Sequence, residues 1–421
     1  MIQIQEGRVL VVGMGVSGLA TAGRLRKAGW SVVLVERSPE RRSGGYFVAL
    51  FGAGQAAARR LGMIEHLHDR ASSADAVSLD RAGRIRPGRS YSDLPTKPWL
   101  MLRGDVETAA FEVLQTDVEI RYATVPTEIY QDADGVTVTL YNATSGTSTT
   151  ERFDLVVGAD GVRSTVRSLV FGPHERFLKR LGYMVAAFEC RDGVPGVAED
   201  QGASLLEPHR SMLLFAFADH HPTMLLSYRT DDVDAEFDRP PVESVRAAFG
   251  PQAPGSVLTA AFEEMDRTNT VLFDSAEQVC MATWHKGRVV LLGDAAWCVS
   301  LYAGMGVSAG LAGADLLGGM LERHRGDIAT ALNEWEQGLR PYITHYQENI
   351  AADRRIFIVD NRLQILLRRL LPTISKTRLG RHVADKIMRV EELFEYKGAD
   401  IVGKILGEPP TPIPEKATSD A

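Results

Sequence analysis

The chain opens with an apolar run at Arg8–Val12, a glycine-rich turn and a helical stretch to about Lys27. A second apolar run, Ser31–Val35, follows and is closed by Glu36. Two short apolar runs joined by a helix predict a βαβ unit with parallel strands. Residues 55–68 and 104–115 carry apolar side chains at helical spacing. Gly135–Leu140 and Glu151–Val157 flank a Ser/Thr/Gly turn and read as a hairpin. Short strand patterns at 182–190, 202–206, 211–217 and 223–229 predict an antiparallel or mixed sheet. Asp238–Pro241 breaks the chain, 242–249 is helix-like, and Val289–Leu292 returns to strand character. From about 327 the pattern is helical, up to a proline-rich end at 408–414.

This order predicts an α/β fold: a discontinuous Rossmann-like domain, an inserted β-sheet substrate domain, and C-terminal helices. The expected boundaries are 1–74, 100–178 and 279–345 for the first, and 75–99 and 179–278 for the second. Residues 346–407 form the C-terminal helical region, and 408–421 a disordered tail.

Composition narrows the function classes. With 421 residues and a net charge of -7, the chain lacks the basic surplus of a nucleic-acid binder. Three cysteines, Cys190, Cys280 and Cys298, are an odd number without CxxC spacing, which points to reduced thiols and no metal site. The first residues lack a signal-peptide pattern, so a cytoplasmic protein is expected. Residues 295–314 are 20 consecutive uncharged positions, the length of a membrane span. Asp294 and Asp315 flank them and glycine recurs inside, so a buried loop-to-helix turn is expected and a membrane partner is not. Near the C-terminus Ile356, Val359, Leu363, Leu366, Leu370 and Ile374 recur beside Arg354, Arg355, Arg362, Arg368 and Arg369. A helix packed across both domains is the preferred account, and a membrane-docking helix the alternative. The pattern carries no signal for an oligomeric state.

Chemistry concentrates in three short stretches. The first is Gly13–Met14–Gly15–Val16–Ser17–Gly18, between a strand and a helix. Gly13 permits the tight turn, Gly15 lets the backbone approach a pyrophosphate, and Gly18 lets helix and strand pack closely. The phosphates then meet the N-terminus of the helix that Val16 and Ser17 open. Glu36, 18 positions beyond Gly18, stands where a carboxylate accepts both ribose hydroxyls. A carboxylate there repels a 2′-phosphate, so the bound dinucleotide is FAD or NAD, not NADP. Arg37 and Arg42, in the polar loop that follows, are candidate contacts to it. The second stretch is Asp160–Gly161–Val162–Arg163–Ser164, and the third Gly293–Asp294–Ala295–Ala296. Gly304–Met305–Gly306 then opens another helix, whose N-terminal amides suit the pyrimidine edge of a flavin, where negative charge collects on reduction.

Together these stretches resemble the aromatic-hydroxylase family of flavin monooxygenases, typified by para-hydroxybenzoate hydroxylase, over roughly residues 7–345. The family's DG-x-x-S-x-x-R motif is complete from Asp160 to Arg167, and its Trp-x-x-Gly-Arg-Val segment is present as Trp284–Val289. The resemblance implies that Asp294 binds the ribityl chain, and that Arg103 and Arg42 contact the cofactor. It implies a cofactor, FAD, and a transient co-substrate, NADPH or NADH, for which no second GxGxxG unit is present. It further implies a monooxygenase that hydroxylates an aromatic or polyketide-like small molecule through a flavin C4a-hydroperoxide. The oxygen-transferring site must be kept from water, so an apolar cavity is expected, with Phe188, Leu213, Phe215 and Phe217 as candidate lining. Two positions depart from the family. Trp297 stands where it has histidine, and Ser300–Leu301 where it has a proline pair beside the flavin. They support an alternative, a flavoenzyme of the same fold without oxygen insertion, a dehydrogenase or an FAD-scaffolded cyclase. No Trp-x-Trp pair is present, which argues against a flavin halogenase.

Overall fold

Three strands with nearly unbroken apolar sequence, Arg8–Val12, Leu155–Gly158 and Val289–Leu291, lie side by side and parallel. Continuous apolar runs are what a strand buried on both faces needs, and Val9, Leu155, Val156 and Val289 are indeed fully buried. Ser31–Val35 and Glu119–Arg121 extend the sheet on one side, and the antiparallel strand His285–Lys286 closes the other. The helix Val16–Lys27 returns the chain from the first strand to the second, as the βαβ pattern predicts. The computed structural model describes residues 7–41, 44–88, 90, 94, 96–374 and 396–409.

A second, seven-stranded sheet runs in the order 272–279, 178–189, 223–229, 210–215, 203–207, 77–79, 85–87. The strands at 77–79 and 85–87 come from early in the chain and join a sheet otherwise built after residue 178. Side chains alternate between its faces. Tyr183, Val185 and Ala187 pack into the core shared with the parallel sheet, whereas Met184, Ala186 and Phe188 pack under the helices Pro241–Phe249 and Gly255–Arg267. The α/β class with an added sheet and C-terminal helices is as expected, and the helices Ile328–Glu348, Ile350–Phe357 and Arg362–Ile374 follow from residue 328. Residues 410–421, where a disordered tail is expected, lie outside the described residues. No helix among the described residues is long and apolar enough to cross a membrane.

Two elements differ from expectation. The helix expected over 55–68 spans Gly52–Arg60 and gives way to a short 3-10 turn at Ile64–His66. Gly62 (φ 80°) ends it, with Met63 N–H reaching back to Ala58 O and Gly62 N–H to Arg59 O. Helical apolar spacing does not register such a left-handed stop. The strand expected over Glu151–Val157 is two strands. Thr147–Phe153 pairs in a three-stranded antiparallel sheet, and Leu155–Gly158 enters the parallel one. Asp154 makes the join, its carboxylate accepting Arg8 N–H at 2.7 Å and its own N–H donating to Arg8 O at 2.8 Å.

The two sheets are also tied by charge. Glu151, on the antiparallel sheet, pairs with Arg8 and Arg121 of the parallel one. Hydrogen bonds from Arg121 hold its carboxyl down to about 2, against 4.5 for an unperturbed glutamate. A carboxyl depressed on folding stabilises the protein above its unfolded pKa and loses that contribution as pH falls through the folded one. Glu151→Gln is expected to cost about 1–2 kcal/mol at neutral pH, after allowing for partial solvent screening. In urea unfolding of the two proteins, that difference should shrink as pH falls from about 4.5 toward 2.

Candidate functional site

Because the strands ending at Val12, Gly158 and Leu291 are adjacent and parallel, the turns that follow them open on the same sheet edge. Each of those turns carries one of the three sequence motifs. The structure therefore brings together residues that are almost 300 positions apart.

The first turn is tied down by its backbone and by Glu36. Gly13 N–H donates to Val35 O at 2.8 Å. Gly13 has φ 101°, and a Cβ there would lie 2.6 Å from Ala159 O, at the second motif. A Cβ on Gly18 would overlap Gly13 O itself. The helix from Val16 has Gly15 as its N-cap, with no side-chain cap and no acidic residue in its first turn. Its first N–H groups and its positive dipole end are thus left uncapped by the helix itself, although the Glu107 carboxylate comes within 3.6 Å of a Cβ built on Gly15. Glu36 Oε2 accepts Met14 N–H at 2.8 Å and Oε1 accepts Ser38 N–H at 2.9 Å. Each carboxylate oxygen keeps capacity for a second donor. Arg37 is exposed. Arg42 lies outside the described residues, while its neighbour Arg41 stacks over Phe111 at 4.6 Å.

The other two turns interlock with the first. Asp160 Oδ1 accepts the Ser164 hydroxyl and Oδ2 the Val166 N–H at 3.1 Å, so the aspartate builds its own turn. Burial raises the pKa of this carboxyl, partly offset by those hydrogen bonds. Gly161 follows with φ 82° and open space around it. Ser17 fits into a slot between the third motif and its helix, since a Cβ on Gly293 or on Gly310 would collide with its hydroxyl. Arg167, fully buried, donates to Ala295 O at 2.8 Å and to Val162 O at 2.5 Å. Its guanidinium thus joins the second motif to the third. The sequence showed this arginine as the end of a motif, but its partner is 128 positions away and left no local signal.

Arg103 lies at the opening of this arrangement. Its Nη2 pairs with Glu107 at 2.7 Å and sits 3.3 Å from a Cβ built on Gly15. Gly104 packs against the Gly44 carbonyl, so the loop after Arg42 rests on the start of the Arg103–Glu112 helix. Asp294 is open to solvent although both its neighbours are buried and protein surrounds it, as befits a side chain lining a cleft. That enclosure raises its carboxyl pKa, and Arg103 pulls it back. Gly306 lies beside Asp294, a Cβ there coming 3.8 Å from Oδ1. Gly304 is left-handed and Met305 is the buried N-cap of the Gly306–Arg323 helix, which also has neither a side-chain cap nor an acidic first turn. Two uncapped helix N-termini, a tight Gly15 cradle, an arginine and an open aspartate suit a dinucleotide that carries phosphates and hydroxyls. Among the described residues no cluster of side chains suits a metal ion.

The departures at the third motif separate. Trp297 is buried against Trp284 (ring centroids 4.7 Å apart) and Trp335 (5.7 Å), behind the turn and within the core. Ser300, however, is a buried residue with φ 75° and ψ 152°, a conformation favouring glycine, and its hydroxyl has no hydrogen-bond partner among the described residues. Of the aromatic lining candidates, Phe215 and Phe217 neighbour Phe47 at 4.0 and 6.1 Å on the face toward the parallel sheet, and Leu213 shares that face. Phe188 packs in the opposite core, because strand alternation turns it away. His220 and His221 are on an exposed turn.

Comparison with known proteins agrees with this geometry. Residues 6–329 match the family described as FAD binding domain. A flavin-dependent monooxygenase from an unknown prokaryotic organism is 27% identical over 350 residues, covering 81% of this chain and 87% of its own. Among solved structures, tetracycline destructase Tet(51) is 25% identical with a TM-score of 0.72, covering 94% of this chain and 98% of its own. HpxO of Klebsiella pneumoniae, solved with FAD and uric acid, has the same fold (TM-score 0.66, 20% identity), covering 96% of this chain and 97% of its own. With its motifs converging on one sheet edge and its sequence matched over residues 6–329, the chain belongs to the FAD-dependent aromatic-hydroxylase family of flavin monooxygenases.

Proposed function

We propose that this protein hydroxylates an aromatic or polyketide-like small molecule, using FAD, dioxygen and NADH or NADPH. The observation that carries the reading is the interlocking of the three turns through Ser17, Gly13 and Arg167 around one opening. In this reading Gly13, Gly15, Val16, Ser17 and Gly18 hold the pyrophosphate at the helix N-terminus, with Arg37 and Arg103 as cationic neighbours. Glu36 takes the ribose hydroxyls and Asp294 the ribityl chain. Asp160 and Gly161 shape the second turn, and Gly304, Met305 and Gly306 present backbone N–H groups to the flavin's pyrimidine edge. FAD, when bound, supplies the exchange of electrons with nicotinamide and the activation of dioxygen.

The chain's own residues supply position and dryness. The helix dipole at Gly306 favours negative charge on the flavin, and so favours its reduction. Phe47, Leu213 and Phe215, all partly buried, give the sheet-facing side an apolar surface that suits a flat, fused-ring substrate. The likeness to a tetracycline destructase supports a substrate of that shape. Trp297 favours neither oxygen insertion nor its absence, because its indole lies in the core. Ser300 favours the alternative of a flavoenzyme without oxygen insertion, since its strained backbone replaces the family's proline there.

Purified protein is expected to carry or take up FAD, to oxidise NADH or NADPH when a fused-ring aromatic is added, and to place one atom of labelled dioxygen in the product by mass spectrometry. Turnover without label selects the alternative, and protein that takes up no flavin defeats both. Replacement of Arg167 by Met should strand Ala295 O and Val162 O in a buried site. We expect it to cost about 3 kcal/mol of stability by denaturant titration and to weaken flavin retention on gel filtration.

A further inference from the structure

The C-terminal segment packs behind the Leu301–Ala303 turn that leads into Gly304. Gly398 is pressed so closely on the start of the Gly52–Arg60 helix that a Cβ on Gly52 would overlap the Gly398 carbonyl. Beside it Tyr396 stacks on His345, ring centroids 4.4 Å apart. Lys397, between them, is only 3% exposed. Its ammonium donates to Ala303 O at 2.6 Å, lies 3.2 Å from the fully buried Asp353, and stands 5.4 Å above the Phe51 ring. Phe51 in turn lies under Gly304, 3.8 Å from a Cβ built there.

A lysine is rarely buried unless paired, because removing its charge from water is expensive. Here the partner, Asp353, comes from a different helix, and the third contact is to the backbone one residue before Gly304–Met305–Gly306. The pair therefore fixes the Leu301–Ala303 turn from behind, at the point where the chain must turn left-handed at Gly304 and start the helix at Gly306. The same segment has a second anchor that does not touch the turn. Asp400 pairs with Arg60, which also pairs with Asp315. Asp315 is nine residues along the helix from Gly306, about 13 Å from its start.

We propose that Lys397 is a positioning residue of the flavin site: through Ala303 O it holds the Gly304–Gly306 turn in register, so the C-terminal segment is part of the cofactor pocket. The proposal rests on the FAD reading above. It predicts that the two anchors of one segment have different consequences, the Lys397 anchor for the flavin and the Asp400 anchor for stability alone.

The test uses the full chain, with FAD as the probe. Lys397→Met is combined with Asp353→Asn so that neither charge is left buried alone, and it is compared with Asp400→Asn. Three quantities are read: the FAD dissociation constant, the visible absorption bands and reduction potential of the bound flavin, and Tm. The double variant is expected to bind FAD about tenfold more weakly and to shift the flavin bands and potential. Asp400→Asn is expected to lower Tm and leave the flavin unchanged. A double variant with wild-type affinity, bands and potential overturns the proposal, as does an equal effect from Asp400→Asn. If the double variant does not fold, Asp353→Asn alone decides: a shifted flavin spectrum supports the proposal and a wild-type one ends it. A wild-type chain that binds no FAD refutes the underlying reading instead.

Discussion

The site depends on close backbone approach without side-chain volume. Ser17 enters its slot only because Gly293 and Gly310 have no Cβ, and the first turn rests on the second only because Gly13 has none. Where side chains are absent the turns approach within contact distance, and the helices that start at Val16 and Gly306 have no side-chain cap. Methyl groups at these points would push the turns apart and dissolve the site while leaving the sheet's core intact. The adjacency of three parallel strands makes the approach possible, because it delivers all three turns to one edge before any side chain acts.

Around this frame the polar groups divide into those that build and those left open. Asp160 and Arg167 spend their hydrogen bonds on the second and third turns. Glu36 is steered by two backbone N–H groups, and Arg103 by Glu107. Asp294 alone among the motif carboxylates lies open within an enclosed setting, where a neutralising arginine nearby matters most. Rigid groups around an open one are what orientation of a large cofactor requires.

Much of this was legible along the chain. The βαβ start, Glu36 at its distance, and the strands of the second sheet all stand where periodicity and spacing expected them. What was misread had a common cause, a change of partner without a change of pattern. Glu151–Val157 reads as one hairpin strand in sequence, yet Asp154 hands it from one sheet to another. Phe188 and Phe215 look alike as strand aromatics, yet register places them on opposite faces. Trp297 does hold the family's histidine position, as expected, and only the structure shows that its indole joins two other tryptophans in the core.

By itself, the sequence determined the turn-forming glycines, the motif order and the acidic residue after the second strand, because these depend on local backbone geometry and on spacing within one βαβ unit. Only the tertiary structure decided which groups meet across the chain: Arg167 with Ala295, Ser17 with Gly293 and Gly310, and Lys397 with Ala303 and Asp353. Those contacts are set by which strands are neighbours and how tightly the helices pack on them. Such distances arise from the whole core closing at once, and no window along the chain encodes them.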